Sequence, residues 1–186
     1  MKFLAYRIHR LDTRQIVARF DEVGLDVAAK ASKVMHGAFG DRLTPSNLIE
    51  KLLANQRLGR KNGKGFYDYP PKPAKKKLWP GLKELYPQQD PDRIDVEELK
   101  QRFLVVQAVE AARTVEDHVI TDPREADVGS ILGFGFAPFT GGTLSYIDFM
   151  GTGKFVDLCR KLEAKFGSRF TPPKLLVDMA AKGETF

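Results

Sequence analysis

Among the 186 residues, one segment gathers side chains in a pattern suited to holding a ligand: Gly59-Arg60-Lys61-Asn62-Gly63-Lys64-Gly65-Phe66-Tyr67-Asp68-Tyr69. Gly59, Gly63 and Gly65 permit positive φ or close backbone approach. Arg60, Lys61 and Lys64 stand beside Phe66 and two tyrosines. Two readings are open. In one, the segment is a turn that buries Phe66 and Tyr67 against helices and leaves the cations in water. In the other, Arg60, Lys61, Lys64, Phe66 and Tyr67 lie next to a substrate.

Other short motifs fail on chemical grounds. Gly133-x-Gly135 has no preceding strand and no third glycine at the right place, and Pro138 interrupts it, so it is no dinucleotide fingerprint. Gly151-Thr152-Gly153-Lys154 resembles the end of a phosphate loop. However, Phe155 stands where a magnesium-binding hydroxyl belongs, and Asp148 replaces the first glycine. His9, His36 and His118 are scattered, with no acid or nucleophile at a telling spacing. Cys159 falls on an apolar helical face and reads as a small core residue. The single cysteine excludes an intramolecular disulfide. No metal cluster or catalytic constellation stands out.

The elements that must position these residues are helical. Asp95 with Glu98 predicts a capping box for a long helix over about Val96 to His118. Its apolar residues cover more than one face, as in a central helix with neighbours on two sides. Asp122-Pro123-Arg124-Glu125 predicts a second capped start, leading to a helix that ends near Gly133. The run Gly133, Gly135, Pro138, Gly141 and Gly142 forms a glycine-rich turn into a short helix around Leu144 to Met150.

An internal repeat organises the chain, with a gapless register at an offset of 127 residues from Asp21 to Ala54. Asp21-Glu22-Val23-Gly24 returns as Asp148-Phe149-Met150-Gly151, and Phe39-Gly40-Asp41-Arg42-Leu43-Thr44-Pro45 as Phe166-Gly167-Ser168-Arg169-Phe170-Thr171-Pro172. Gly63-Lys64-Gly65-Phe66 resembles Gly183-Glu184-Thr185-Phe186. Thr44 and Thr171 are expected to cap helices that open on Pro45 and Pro172. Gly40 and Gly167 are expected to end the preceding helices. Those helices should bury Phe155, Leu158, Cys159, Leu162 and Phe166 in the second copy and Ala28, Ala31, Ser32, Met35 and Phe39 in the first. Residues 95–147 lead into the second copy, but only twenty residues precede Asp21, so the first copy is expected to lack its front half. The expected division is a truncated first helical repeat over 1–69, a Pro/Lys-rich linker over 70–94 and a second repeat over 95–186. The predicted class is all-α.

Composition is that of an ordinary globular protein, 42% hydrophobic and 29% charged, with a formal net charge of +6. The positive excess lies between Arg57 and Lys77, where eight cations face one acid, Asp68. A solvated linker is the plain reading of that patch; attraction to polyanions is the other. Prolines and like charges from Pro70 to Pro91 argue against helix or strand there, with Leu78, Trp79, Leu82, Leu85 and Tyr86 able to pin part of it to the core. No apolar run is long enough to span a bilayer, and Met1-Lys2-Phe3-Leu4-Ala5-Tyr6-Arg7 becomes charged too soon for a signal peptide. A cytoplasmic protein without a nucleic-acid-reading motif is expected.

The segment Arg57–Tyr69 resembles the glycine-rich signature that closes the C-terminal domain of 3-hydroxyacyl-CoA dehydrogenases. Asp21-Glu22-Val23-Gly24-Leu25-Asp26-Val27 resembles that domain's middle helix. Residues 127–148, with Gly133-Phe134-Gly135-Phe136-Ala137-Pro138-Phe139 and Gly141-Gly142, resemble its tandem second copy, as in the multifunctional fatty-acid oxidation α-subunits. The resemblance implies two related helical units of an oxidoreductase that converts (S)-3-hydroxyacyl-CoA to 3-oxoacyl-CoA with NAD in β-oxidation. It implies that the helical part closes the acyl-CoA cleft and supplies a dimer surface, whether in a homodimer or with other β-oxidation subunits. The family's catalytic His–Glu pair belongs to its dinucleotide-binding domain and has no counterpart here. The family's functional asparagine also has none. The chain alone is therefore expected to bind no cofactor and to be inactive.

Overall fold

The computed structural model describes residues 13–86 and 90–186 and divides the chain into two compact units, 11–94 and 95–186. Expectations concerning Met1–Arg7, His9 and Pro87 lie outside the described residues.

In the first unit, helices α1 (Thr13–Val23), α2 (Leu25–Phe39) and α3 (Asn47–Ala54) are followed by the glycine-rich segment. A two-residue antiparallel ribbon pairs β1 (Tyr67–Asp68) with β2 (Lys77–Leu78), with Tyr67 opposite Leu78. A single turn, α4 (Leu82–Leu85), completes the unit. The core is small: Leu25, Leu52, Phe66 and Tyr67 are buried, with Trp79, Leu82 and Leu85 packed against them. The proline- and lysine-rich segment therefore contains a strand and a helical turn where neither was expected. Trp79 N–H donates to Phe66 O at 2.9 Å, and its ring stacks under the Arg57 guanidinium at 4.2 Å. Apolar burial and these contacts outweigh local proline and charge.

The second unit holds α5 (Val96–Glu116), α6 (Pro123–Phe134), α7 (Thr143–Met150), α8 (Thr152–Phe166) and α9 (Lys174–Lys182). Its core joins Val105, Ala108, Val109 and Ala112 of α5 to Phe136, Ile147, Phe155, Cys159, Phe170 and Leu176. Burying each large apolar side chain contributes about 1.5–3 kcal/mol. Asp95 caps α5 by accepting from Glu98 N–H at 3.0 Å, but the Glu98 carboxylate pairs with Lys165. Asp122 accepts from Arg124 N–H at 3.0 Å to open α6, and Gly135 closes that helix in the left-handed conformation at φ 75°.

The repeat is visible in the backbone. Helices α2 and α8 are both 15 residues long and end at Phe39 and Phe166. Gly24 and Gly151 take φ 103° and 88°, and Gly40 and Gly167 take φ 63° and 87°. A 3-10 turn follows in each copy, then Thr44 and Thr171 at nearly identical dihedrals.

Two expectations need correction. Thr44 and Thr171 are not N-caps: α3 begins at Asn47 behind Ser46, and α9 at Lys174 behind Pro173. Each threonine instead closes the preceding turn, and Thr44 Oγ1 donates to Asp41 O at 2.8 Å. The second correction concerns the first-copy core. Met35 and Phe39 are 45% and 47% exposed, whereas Leu162 is 2% exposed. In the second unit α5 reaches this region, with Arg102 stacked on Phe166 and Glu98 paired with Lys165. The described residues of the first unit include no helix of that kind.

Candidate functional site

The glycine-rich segment is shaped by one buried carboxylate. Asp21, fully buried at the end of α1, accepts from Phe66 N–H at 2.7 Å, Tyr67 N–H at 3.0 Å and the Tyr69 hydroxyl at 2.9 Å. Burial, and next the Asp21 carboxylate, push the Tyr69 phenol well above its ordinary range. The three donors satisfy the buried carboxylate in place of water.

Two glycines make this approach possible. A Cβ on Gly65 would fall 2.0 Å from Asp21 Oδ1, and one on Gly59, at φ 106°, would fall 2.4 Å from Asp21 O. Gly63 takes φ 76° in the turn between them. Arg57, also buried, ties the other edge: its Nε donates to Gly65 O at 2.5 Å, Nη2 donates to Tyr67 O at 3.3 Å, and the guanidinium pairs with Asp68.

The structure thus separates the candidate residues into two sets. Phe66 and Tyr67 are buried in the core. Arg60, Lys61 and Lys64 are exposed, and Lys61 pairs with Asp26 at 2.5 Å, holding that carboxyl below its usual range. Lys76 lies over the Tyr67 ring at 4.6 Å, so the exposed side of this segment is cationic. The sequence reading missed Asp21 as the organising group. Its return as Asp148, together with the return of Phe66 as Phe186, was the available signal.

The second glycine-rich run is likewise structural. Gly133 lies inside α6, and Gly141 is left-handed at the end of the Pro138–Thr140 turn. A Cβ on Gly142 would fall 2.4 Å from Asp127 Cβ. Asp127 caps α7 by accepting from Leu144 N–H at 2.7 Å and from the Ser145 hydroxyl at 2.5 Å. Thr152 Oγ1 donates to Glu184 O at 2.8 Å, so the segment resembling a phosphate loop is part of the packing of α8. Cys159 is fully buried, and desolvation pushes its thiol up to about 12. Among the described residues no three His, Cys, Asp or Glu side chains are placed to hold a metal, and no helix is long and apolar enough to cross a membrane.

Residues 15–69 match the family described as 3-hydroxyacyl-CoA dehydrogenase, C-terminal domain. The fold matches the crystal structure of 3-hydroxybutyryl-CoA dehydrogenase from Escherichia coli K12 substr. MG1655 with a TM-score of 0.64 and 18% identity, covering 96% of this chain and 53% of that one. The chain thus spans about half the length of that relative. At this identity the likeness establishes the fold alone. The matched residues run from α1 to Tyr69 and take in the Asp21 clamp and its glycine-rich partner. Residues 15–69 thus resemble a C-terminal domain of the 3-hydroxyacyl-CoA dehydrogenase family, and the all-α fold is shared with a 3-hydroxybutyryl-CoA dehydrogenase along nearly the whole chain.

Proposed function

We propose that this chain is the substrate-cleft and dimerisation part of an NAD-dependent 3-hydroxyacyl-CoA dehydrogenase of fatty-acid β-oxidation, acting in the cytoplasm on acyl-CoA. The observation that carries the reading is the family's glycine-rich segment folded onto Asp21 within the matched residues 15–69. That clamp makes one rigid edge, with Arg60, Lys61, Lys64 and Lys76 on its outer side, suited to lie against the phosphates of a coenzyme.

The described residues do not fit NAD. Gly133-x-Gly135 sits at the C-terminal end of α6, where carbonyls rather than N–H groups are free. Gly151 precedes a helix whose Thr152 is already bonded to Glu184 O. No step of hydride transfer is therefore assigned to these residues, and the cofactor would be held by a dinucleotide-binding domain. The test is NADH formation from (S)-3-hydroxybutyryl-CoA. The purified 186-residue chain should give none, and fusion behind a dinucleotide-binding domain of this family should give turnover. Turnover by the chain alone, or none by the fusion, contradicts the reading.

A second reading, a non-catalytic helical module pairing with itself or with a separate β-oxidation subunit, is favoured by one face of α2. Val27, Ala31, Val34, Met35 and Ala38 form an exposed apolar stripe at helical spacing. The equivalent positions of α8 carry Lys154, Lys161 and Lys165 among their five residues. An apolar stripe where the repeat places lysines marks a contact surface. Light scattering should show self-association that Val34→Lys abolishes; a monomer at high concentration disfavours self-pairing.

A further inference from the structure

A slot of about 430 Å³ opens in the second unit between α5, α6 and the first residue of α7. Val106, Ala111, Ile120, Ala126 and Phe134 make most of its wall. This volume lies within the range of small-molecule sites. We propose that the slot binds a neutral aliphatic chain bearing one hydroxyl or carbonyl oxygen, which pairs with the hydroxyl of Thr143.

Three observations lead there. Thr143 is fully buried, and its Oγ1 has no hydrogen-bond partner among the described residues, although buried hydroxyls are ordinarily paired. The other neutral polar side chains of the wall already donate to backbone carbonyls: Gln107 to Phe103 O at 2.6 Å, Thr114 to Ala111 O at 2.7 Å and Ser130 to Asp127 O at 2.8 Å. Ser130 Oγ also accepts from Thr143 N–H at 3.3 Å. An apolar chain with a single polar atom matches that inventory.

The second observation is Gly129, in the interior of α6 and in the wall of the slot. A Cβ there would meet nothing within 4 Å, and its φ lies outside the left-handed region. Glycine at such a position weakens the helix with no steric demand for it. Its absence of a side chain leaves room that a large residue would fill. Third, among the described residues the charges in the wall are Glu110 and Glu125, with Glu110 paired to Arg113 at 2.5 Å. With Glu110 offset by Arg113, Glu125 leaves the wall net negative, which makes an anionic fatty acid a poorer occupant than a neutral chain. The site lies within one unit and does not depend on the dehydrogenase reading.

The test uses the full ¹⁵N-labelled chain titrated with 1-octanol and, separately, with octanoate. Saturable shifts of the Gly129, Ser130 and Thr143 amides with 1-octanol are expected, with octanoate binding more weakly. Thr143→Val should weaken octanol binding roughly five- to tenfold, the effect of losing one hydrogen bond. Gly129→Leu should abolish it, while Gly129→Ala retains it. Absence of saturable shifts, or octanol binding unchanged in Gly129→Leu, overturns the site. Equal affinity in Thr143→Val overturns the role of the hydroxyl, and tighter binding of octanoate overturns the neutral ligand class. Thr143→Val and octanoate decide the matter even if Gly129→Leu does not fold.

Discussion

The Asp21 carboxylate and the Phe66 amide, 45 positions apart in sequence, meet at 2.7 Å in the core of the first unit. The same pair recurs in the second unit, where Asp148 accepts from the Phe186 N–H at 3.2 Å. Each copy thus returns an aromatic segment to the aspartate that precedes its 15-residue helix. Asp21→Ala leaves two buried N–H groups and a phenol without their acceptor. It should destabilise the chain by about 2–5 kcal/mol in urea unfolding. A change below about 0.5 kcal/mol, the ordinary range for surface substitutions, would show that the clamp is not structural.

Glycine substitutions should divide by what surrounds them. Gly65→Ala drives a Cβ into the Asp21 carboxylate, and Gly59→Ala meets the Asp21 carbonyl at positive φ. Both should cost more than about 2 kcal/mol, through strain and loss of the clamp. Gly37→Ala, on α2 with nothing within 4 Å of the new Cβ, should stabilise by about 0.5–1 kcal/mol. Thermal melts of the three variants measure the contrast. Equal effects would refute it.

How far could the sequence be read? The caps of α5 and α6 lie in local chemistry, since Asp95 and Asp122 precede apolar-periodic runs, and both were legible. The repeat was legible because glycines with positive φ, such as Gly24 and Gly151, recur at one offset. The burial of Asp21 was not legible, because nothing local to residue 21 announces donors arriving from residues 66, 67 and 69. Pro45 and Pro172 misled the reading of helix starts: each continues the extended backbone after a 3-10 turn, and the helix begins two residues later. The ribbon at Lys77–Leu78 was hidden because its pairing depends on Tyr67 and Trp79, not on the lysines beside it.

Cys159 should be inert. Its thiol is fully buried, and desolvation raises its pKa to about 12, so almost no thiolate exists near neutral pH. Alkylation by iodoacetamide should proceed in denaturant and be negligible in buffer. Rapid labelling of the folded chain would contradict this burial.

Acid should act on the start of α6. The Arg124 guanidinium, with its backbone N–H next, depresses the Asp122 pKa to about 2. A depressed carboxyl stabilises the fold above its unfolded pKa, near 3.8, and that contribution is lost as pH falls toward 2. Carboxyl NMR titration should place the Asp122 midpoint near 2, and Arg124→Ala should return it toward the ordinary value. An unshifted midpoint in the parent chain would contradict the pairing.

The most direct test of the architecture is NMR measurement of backbone dihedrals over residues 21–54 and 148–181 of the intact chain. Two copies of one unit predict positive φ at Gly24, Gly40, Gly151 and Gly167, with intervening helices that end at Phe39 and Phe166. Negative φ at either glycine pair, or helices of different limits in the two segments, would contradict a shared unit.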